Sequence, residues 1–319
     1  MFAKLLKYDM KATKRIGIPM LIGVLAVIVL SVINSLFGAF ISDVTSLELE
    51  ELPKLFQESE GALLALTVAC LLGTLASYLL NVICTALLSA SIIAIIVINL
   101  VNFYKSLITD EGYLAFTLPV SQSEILSSKI INAIIWDLSF GALYLVGFLA
   151  SQAPTFIRTI YINMEYMKLL DPDFTFWDSL TMQFGLEGVN GFNILAVLLL
   201  FVAFYIAITI ALQIFMFFTV FLGGVVAKKR KFLASIGFTA AGYGTYYVVE
   251  LIIVGIILAV CIVFLFVADT EIITGLVAAN LLLLSVNVIL LISIIVLVGL
   301  SVLFYFLTKW LMTKKLNLP

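Results

Sequence analysis

Six apolar runs dominate this chain, at residues 16–41, 61–103, 130–151, 192–227, 233–268 and 276–306. Each is long enough to cross a bilayer as a helix, which takes about 20 residues at roughly 1.5 Å rise per residue. Lipid offers the backbone no hydrogen bonds, so a spanning segment must satisfy its own, and runs of this length do so as helices. Hydrophobic residues make up 64% of the 319 and charged residues 11%, whereas a soluble domain carries about 25% charged residues. No soluble core could hide so much apolar surface. The expected fold class is an all-α polytopic membrane protein, with residues 1–319 forming a single transmembrane domain.

The run at 61–103 is about 43 residues long, so it is either one long element, bent or broken, or two crossings. Charge decides between them. With one crossing there are six transmembrane helices and both termini are cytosolic. The inner segments then hold 14 of the 17 basic residues: Lys4, Lys7, Lys11, Lys14 and Arg15; Lys105 and Lys129; Lys228, Lys229, Arg230 and Lys231; and Lys309, Lys314 and Lys315. The outer loops take 13 of the 19 acids. Two crossings would put the KKRK turn at 228–231 on the opposite face from the basic N-terminus, against the positive-inside rule. Asn81, Ser89 and Ser91 are expected to mark a bend or break in the long element, because polar groups in lipid must be satisfied. The first apolar run exceeds the h-region of a signal peptide and reads as a retained anchor. Residues 1–15 place Phe2, Leu5 and Leu6 on one face and lysines around the other, the pattern of an amphipathic helix on the inner leaflet.

A polar island at 104–129, YKSLITDEGYLAFTLPVSQSEILSSK, separates the second and third runs. Asp110 and Glu111 suit the start of a short helix, where negative charge complements the macrodipole. Tyr113, Phe116 and Thr117 are spaced i, i+3, i+4 and share a face. Pro119 stops that helix at or before Leu118. Ser121 and Glu124 form a capping box that starts the next helix. An aromatic face on a short polar rod suits insertion into a groove of another protein. The plainer alternative is a re-entry loop with its aromatics at the headgroup level.

The string DEGYLAFTLPVSQSEILSSK, together with the basic LLKYDMKAT segment ahead of the first run, resembles the permease subunits of ABC-2-type exporters, most closely those of Gram-positive bacteria. The resemblance implies that the island is a cytosolic coupling helix docking on a separate P-loop ATPase subunit, with Asp110, Glu111, Gly112, Tyr113, Phe116 and Pro119 as its contacts. It also implies a multi-pass protein of the bacterial plasma membrane, working with a second permease subunit in a homo- or heterodimer. ATP and Mg would be bound only through the partner subunit.

The outer loop at 152–190 carries an amphipathic stretch at 156–170 and the aromatic knot Phe174, Phe176, Trp177, so short helices near the outer surface are expected. Glu250 falls near the middle of the fifth run, after Tyr243, Tyr246 and Tyr247. A carboxylate at that depth must face protein or a water-filled cavity. Glu250, Tyr246 and Tyr247 are candidates for the substrate pathway, with a structural hydrogen bond as the alternative. Asp137 lies nearer the inner surface and reads as structural. KKRK suits anionic lipid and topology, and no nucleic-acid partner is expected. There is no histidine, and Cys70, Cys84 and Cys261 lie within apolar runs in no zinc-binding pattern. No G-x-x-x-x-G-K-[ST] occurs in these residues, so the chain is not expected to be an enzyme with its own ATPase site. The expected function is export of an amphipathic substrate, a peptide or a lipid-like molecule, driven by the companion ATPase. A secondary transporter or a non-transporting scaffold is the alternative. The first would call for more intramembrane ionisable groups and an internal repeat, and no repeat is visible.

Overall fold

The computed structural model describes residues 2–46, 60–109, 119–183, 191–227, 230–268 and 275–315. Every regular element among them is helical: α1 (Phe2–Ser46), α2 (Glu60–Ile108), α3 (Gln122–Lys168), α4 (Phe176–Gln183), α5 (Gly191–Val226), α6 (Lys231–Ala268) and α7 (Gly275–Lys315). Among the described residues, α1, α2, α3, α5 and α7 each contain a stretch long and apolar enough to cross a membrane. The protein is thus an all-helical chain with at least five such helices. α6 coincides with the fifth apolar run.

Of the bend or break expected in the second run, the break does not occur. α2 is one helix of 49 residues. The polar side chains at 81–91 find partners along the helix itself. Thr85 donates to the Asn81 carbonyl at 2.9 Å, Ser89 to that of Thr85 at 2.9 Å, and Ser91 to that of Leu88 at 2.6 Å. Hydroxyls that bond back to carbonyls three or four residues earlier need no opening of the backbone. Residues 2–15 are likewise the first turns of α1, continuous with the apolar run. α3 carries on through Pro154 to Lys168, and α4 follows after a short turn.

The helices divide into two compact units, with the boundaries falling inside α1, α2 and α3. One unit comprises 16–94 and 139–185. Here α1 and α2 approach closely at Gly38, where a Cβ would lie 2.9 Å from Ser77 Oγ. The same Ser77 donates to the Asn34 carbonyl at 3.4 Å, and Asn34 Nδ2 donates to the Ser77 carbonyl at 2.9 Å. Small residues and reciprocal side-chain bonds hold helices together where lipid leaves no hydrophobic drive between them. Arg158 of α3 binds the Asp43 carboxylate and donates to Ser42 Oγ at 2.9 Å. Ser179 of α4 donates to the Ile160 carbonyl at 2.9 Å. The segment after residue 151 is therefore tied to the end of α1 and to α4. Leu71, Leu72 and Leu75 are 60% exposed or more, as side chains facing lipid would be.

The other unit comprises 1–15, 95–138 and 186–319. Its core gathers Phe103 and Leu107 of α2, Ile125, Leu126 and Ile130 of α3, Phe217 and Phe221 of α5, and Leu311 and Met312 of α7. Phe103 stacks on Phe217 with centroids 4.0 Å apart. The end of α5 packs closely on the start of α6. Ser235 donates to the Val220 carbonyl at 2.9 Å, and a Cβ on Gly223 would fall 2.5 Å from Ser235 Cα.

Candidate functional site

The island's two flanking helix ends are both fixed in this core. Tyr104 and Ile108 at the end of α2, and Val120 before α3, pack against it. The capping box forms as expected. Ser121 N–H donates to Glu124 Oε2 at 3.0 Å, and Glu124 N–H donates back to Ser121 Oγ at 3.3 Å. The box pairs the Ser121 N–H and gives a second acceptor to the Glu124 N–H, which also donates to the Ser121 carbonyl at 3.0 Å, and this sets where α3 begins. Pro119 is exposed at a bend ahead of that box. Asp110, Glu111, Gly112, Tyr113 and Phe116 lie outside the described residues.

A polar network sits beside these helix ends. Asp9 of α1 is its hub. Its Oδ1 accepts from Lys129 Nζ at 2.5 Å and its Oδ2 from Ser128 Oγ at 2.8 Å. Thr13 donates to the Asp9 carbonyl at 3.3 Å and accepts from Asn132 Nδ2 at 2.9 Å. One turn of basic sequence thereby grips the first turns of α3. The network borders a cavity of about 240 Å³, lined also by Asn99, Asn102, Phe103, Lys105 and Ser106. Deeper along the helices, Asn99 Nδ2 donates to Asp137 Oδ1 at 2.8 Å.

The amide nitrogens of Asn99 and Asn132 are committed to these acceptors, which orients both groups. Their Oδ1 atoms are buried and without a donor, and both polar atoms of Gln213 are buried without a partner. Sequence reasoning missed this network. Asp9 is a single acid in a basic stretch, and Asn99, Asn132 and Gln213 are isolated amides in apolar runs. Such an amide was itself the signal, because lipid tolerates one only where something satisfies it.

The pathway candidates are placed less fully. Tyr247 is 52% exposed on α6, while the side chains of Tyr246 and Glu250 lie outside the described residues. Among the described residues, no group of three or more His, Cys, Asp or Glu is placed to hold a metal. No protein-family model, no curated protein and no solved structure matches the chain.

Proposed function

We propose that this chain is the membrane-spanning permease subunit of an ATP-driven exporter in a bacterial plasma membrane. The observation that carries the reading is the island DEGYLAFTLPVSQ between the second and third apolar runs. Its residues suit a short acidic-capped rod with an aromatic face and an abrupt stop. The fixed helix ends on either side support it, since a push on a rod is transmitted only if its mounts are rigid. Six crossings with both termini cytosolic put the island, the basic N-terminal turns and KKRK on one side. In this reading Asp110, Glu111, Gly112, Tyr113, Phe116 and Pro119 meet a separate P-loop ATPase, which binds ATP and Mg. Two permeases and two ATPases complete the pathway. Nucleotide-driven closure moves the 109–118 rod, and α2 and α3 tilt with it between two arrangements. The cargo is an amphipathic molecule, best fitted by a cationic peptide given the acidic outer loops, with Glu250, Tyr246 and Tyr247 along its route.

The test begins with whether the reading frame adjacent to this gene encodes a P-loop ATPase, and proceeds by co-expressing the two. Tyr113→Ala combined with Phe116→Ala should abolish co-purification of the ATPase while the permease still inserts and folds. Undiminished co-purification, or a rod that external labelling reagents reach in intact cells, would refute the docking assignment.

A further inference from the structure

Three helices leave a polar cavity where their apolar runs end. The runs at 61–103 and 130–151 are bounded by Lys105 and Lys129, and the first run begins just after Arg15. At such boundaries hydrocarbon gives way to lipid headgroups. The cavity of about 240 Å³ lies between α1, α2 and α3 at this level, and every residue lining it belongs to one compact unit. The small side chains of Ala12, Ser106 and Ala133 at its wall leave it unfilled. It has room for several waters or for one phosphate-sized group.

The wall carries one net positive charge, since Lys105 and Lys129 oppose the single carboxylate of Asp9. Both Asp9 oxygens are already taken, by Lys129 at 2.5 Å and by Ser128 at 2.8 Å, so this acid offers little free charge to repel an anion. Lys129 uses one of its three N–H donors on that contact. Lys105 is exposed and has no salt bridge to an acid among the described residues. Asn102 adds an amide to the wall, and Asn99 and Asn132 there each keep a buried oxygen without a donor. A polar occupant suits such a wall, and a hydrocarbon chain does not. One surplus positive charge matches a phosphodiester, which carries one negative charge, better than a phosphate monoester, which carries nearly two. Basic pockets between spanning helices take anionic headgroups in this way.

We propose that this cavity binds the phosphodiester headgroup of an anionic phospholipid, with Lys105 of α2 and Lys129 of α3 as its cationic contacts. The proposal does not rest on the exporter reading, and its failure would leave the Tyr113 and Phe116 experiment unaffected.

The full chain, purified in detergent and stripped of lipid, is titrated with short-chain phosphatidylglycerol at constant ionic strength. Short-chain phosphatidylcholine and inorganic phosphate run in parallel. The unfolding midpoint gives the apparent affinity, and native mass spectrometry counts the lipids bound. A saturable rise of the midpoint with phosphatidylglycerol is expected, with one tightly held lipid per chain and a weaker response to the other two. Lys105→Gln should weaken the apparent affinity by about five-fold. Lys105 is exposed, so this variant folds. Ala12→Leu should also weaken binding, by filling space with no change of charge. Lys4→Gln removes the same charge from a lysine that does not line the cavity, and it should bind like the wild type. Equal responses to phosphatidylglycerol and phosphatidylcholine would overturn the proposal. So would inorganic phosphate binding as tightly as the lipid, which would make this a site for a soluble anion. An equal loss in Lys4→Gln would assign the binding to the basic surface at large, and no saturable response would leave the cavity to water. Either result sinks the assignment.

Discussion

Lys129 at the first turns of α3 holds the carboxylate of Asp9, 120 positions earlier in the chain. The side chains are 19% and 13% exposed, so the pair lies between a surface bridge and a fully buried one. Removing one partner strands the other in a half-dry site, which costs more than the bridge itself contributes. Asp9→Asn and Lys129→Gln are each expected to destabilise the protein by about 1–3 kcal/mol. A double-mutant cycle on the unfolding midpoint should return a coupling of roughly 1 kcal/mol or more. Additive effects would show that the contact does not hold α1 against α3.

The Ser121–Glu124 box gives a second measurement, local to the island's exit. Ser121→Ala leaves the Glu124 N–H with only the Ser121 carbonyl at 3.0 Å, and Glu124→Ala leaves the Ser121 N–H without its acceptor. Each is expected to cost about 1 kcal/mol. The loss should appear as faster hydrogen exchange over residues 121–126, with the middle of α3 unchanged. Uniform acceleration along α3 would mean that the box stabilises the whole bundle rather than this helix start.

A matching box caps α4. Thr175 N–H and Oγ1 donate to Asp178 Oδ2 at 2.8 and 2.6 Å, and Asp178 N–H donates to Thr175 Oγ1 at 3.3 Å. The Thr175 hydroxyl, and then its backbone N–H, hold the Asp178 carboxyl below its ordinary value of 3.8. The folded value lies below the unfolded one. The cap's contribution is therefore complete above the ordinary carboxylate range and is lost as pH falls through the lowered folded value. Exchange over residues 176–183, corrected for intrinsic chemistry, should accelerate below about pH 4 in the native protein. In Asp178→Asn that acid step should be missing. A step that survives in the asparagine variant would assign it to another carboxylate.

Local features were legible wherever their cause is local. Ser121 and Glu124 sit three residues apart beside a proline, and the spacing alone places the start of α3. Thr175 and Asp178 follow the same rule, set among the aromatic residues Phe174, Phe176 and Trp177. The length of α2 was legible only as an alternative, because Asn81, Ser89 and Ser91 look equally disruptive until their bonds to preceding carbonyls are known. The hold of Asp9 on Lys129, and the bond between Asn99 and Asp137, depend on which helix faces which. Hydropathy is nearly uniform around such helices, so it carries no record of their facing surfaces.

Gly223 tests the closest approach in the α5–α6 turn. A methyl there would lie 2.5 Å from Ser235 Cα, 2.7 Å from its N and 2.8 Å from the Ala234 carbonyl oxygen. All three are backbone atoms, so no rotamer change relieves the clash and α6 itself must move. Gly223→Ala is expected to destabilise by about 1–3 kcal/mol through overpacking, and to break the bond from Ser235 to the Val220 carbonyl. Gly299 of α7 is the control, since a Cβ there meets nothing within 4 Å. Gly299→Ala should be neutral or stabilising by up to about 1 kcal/mol from helix propensity. Unfolding midpoints of the two variants should therefore move in opposite directions or differ by several degrees. Equal midpoints would show that α6 can shift away from α5 at little cost, and that this turn is not a fixed mount for the helices beside the island.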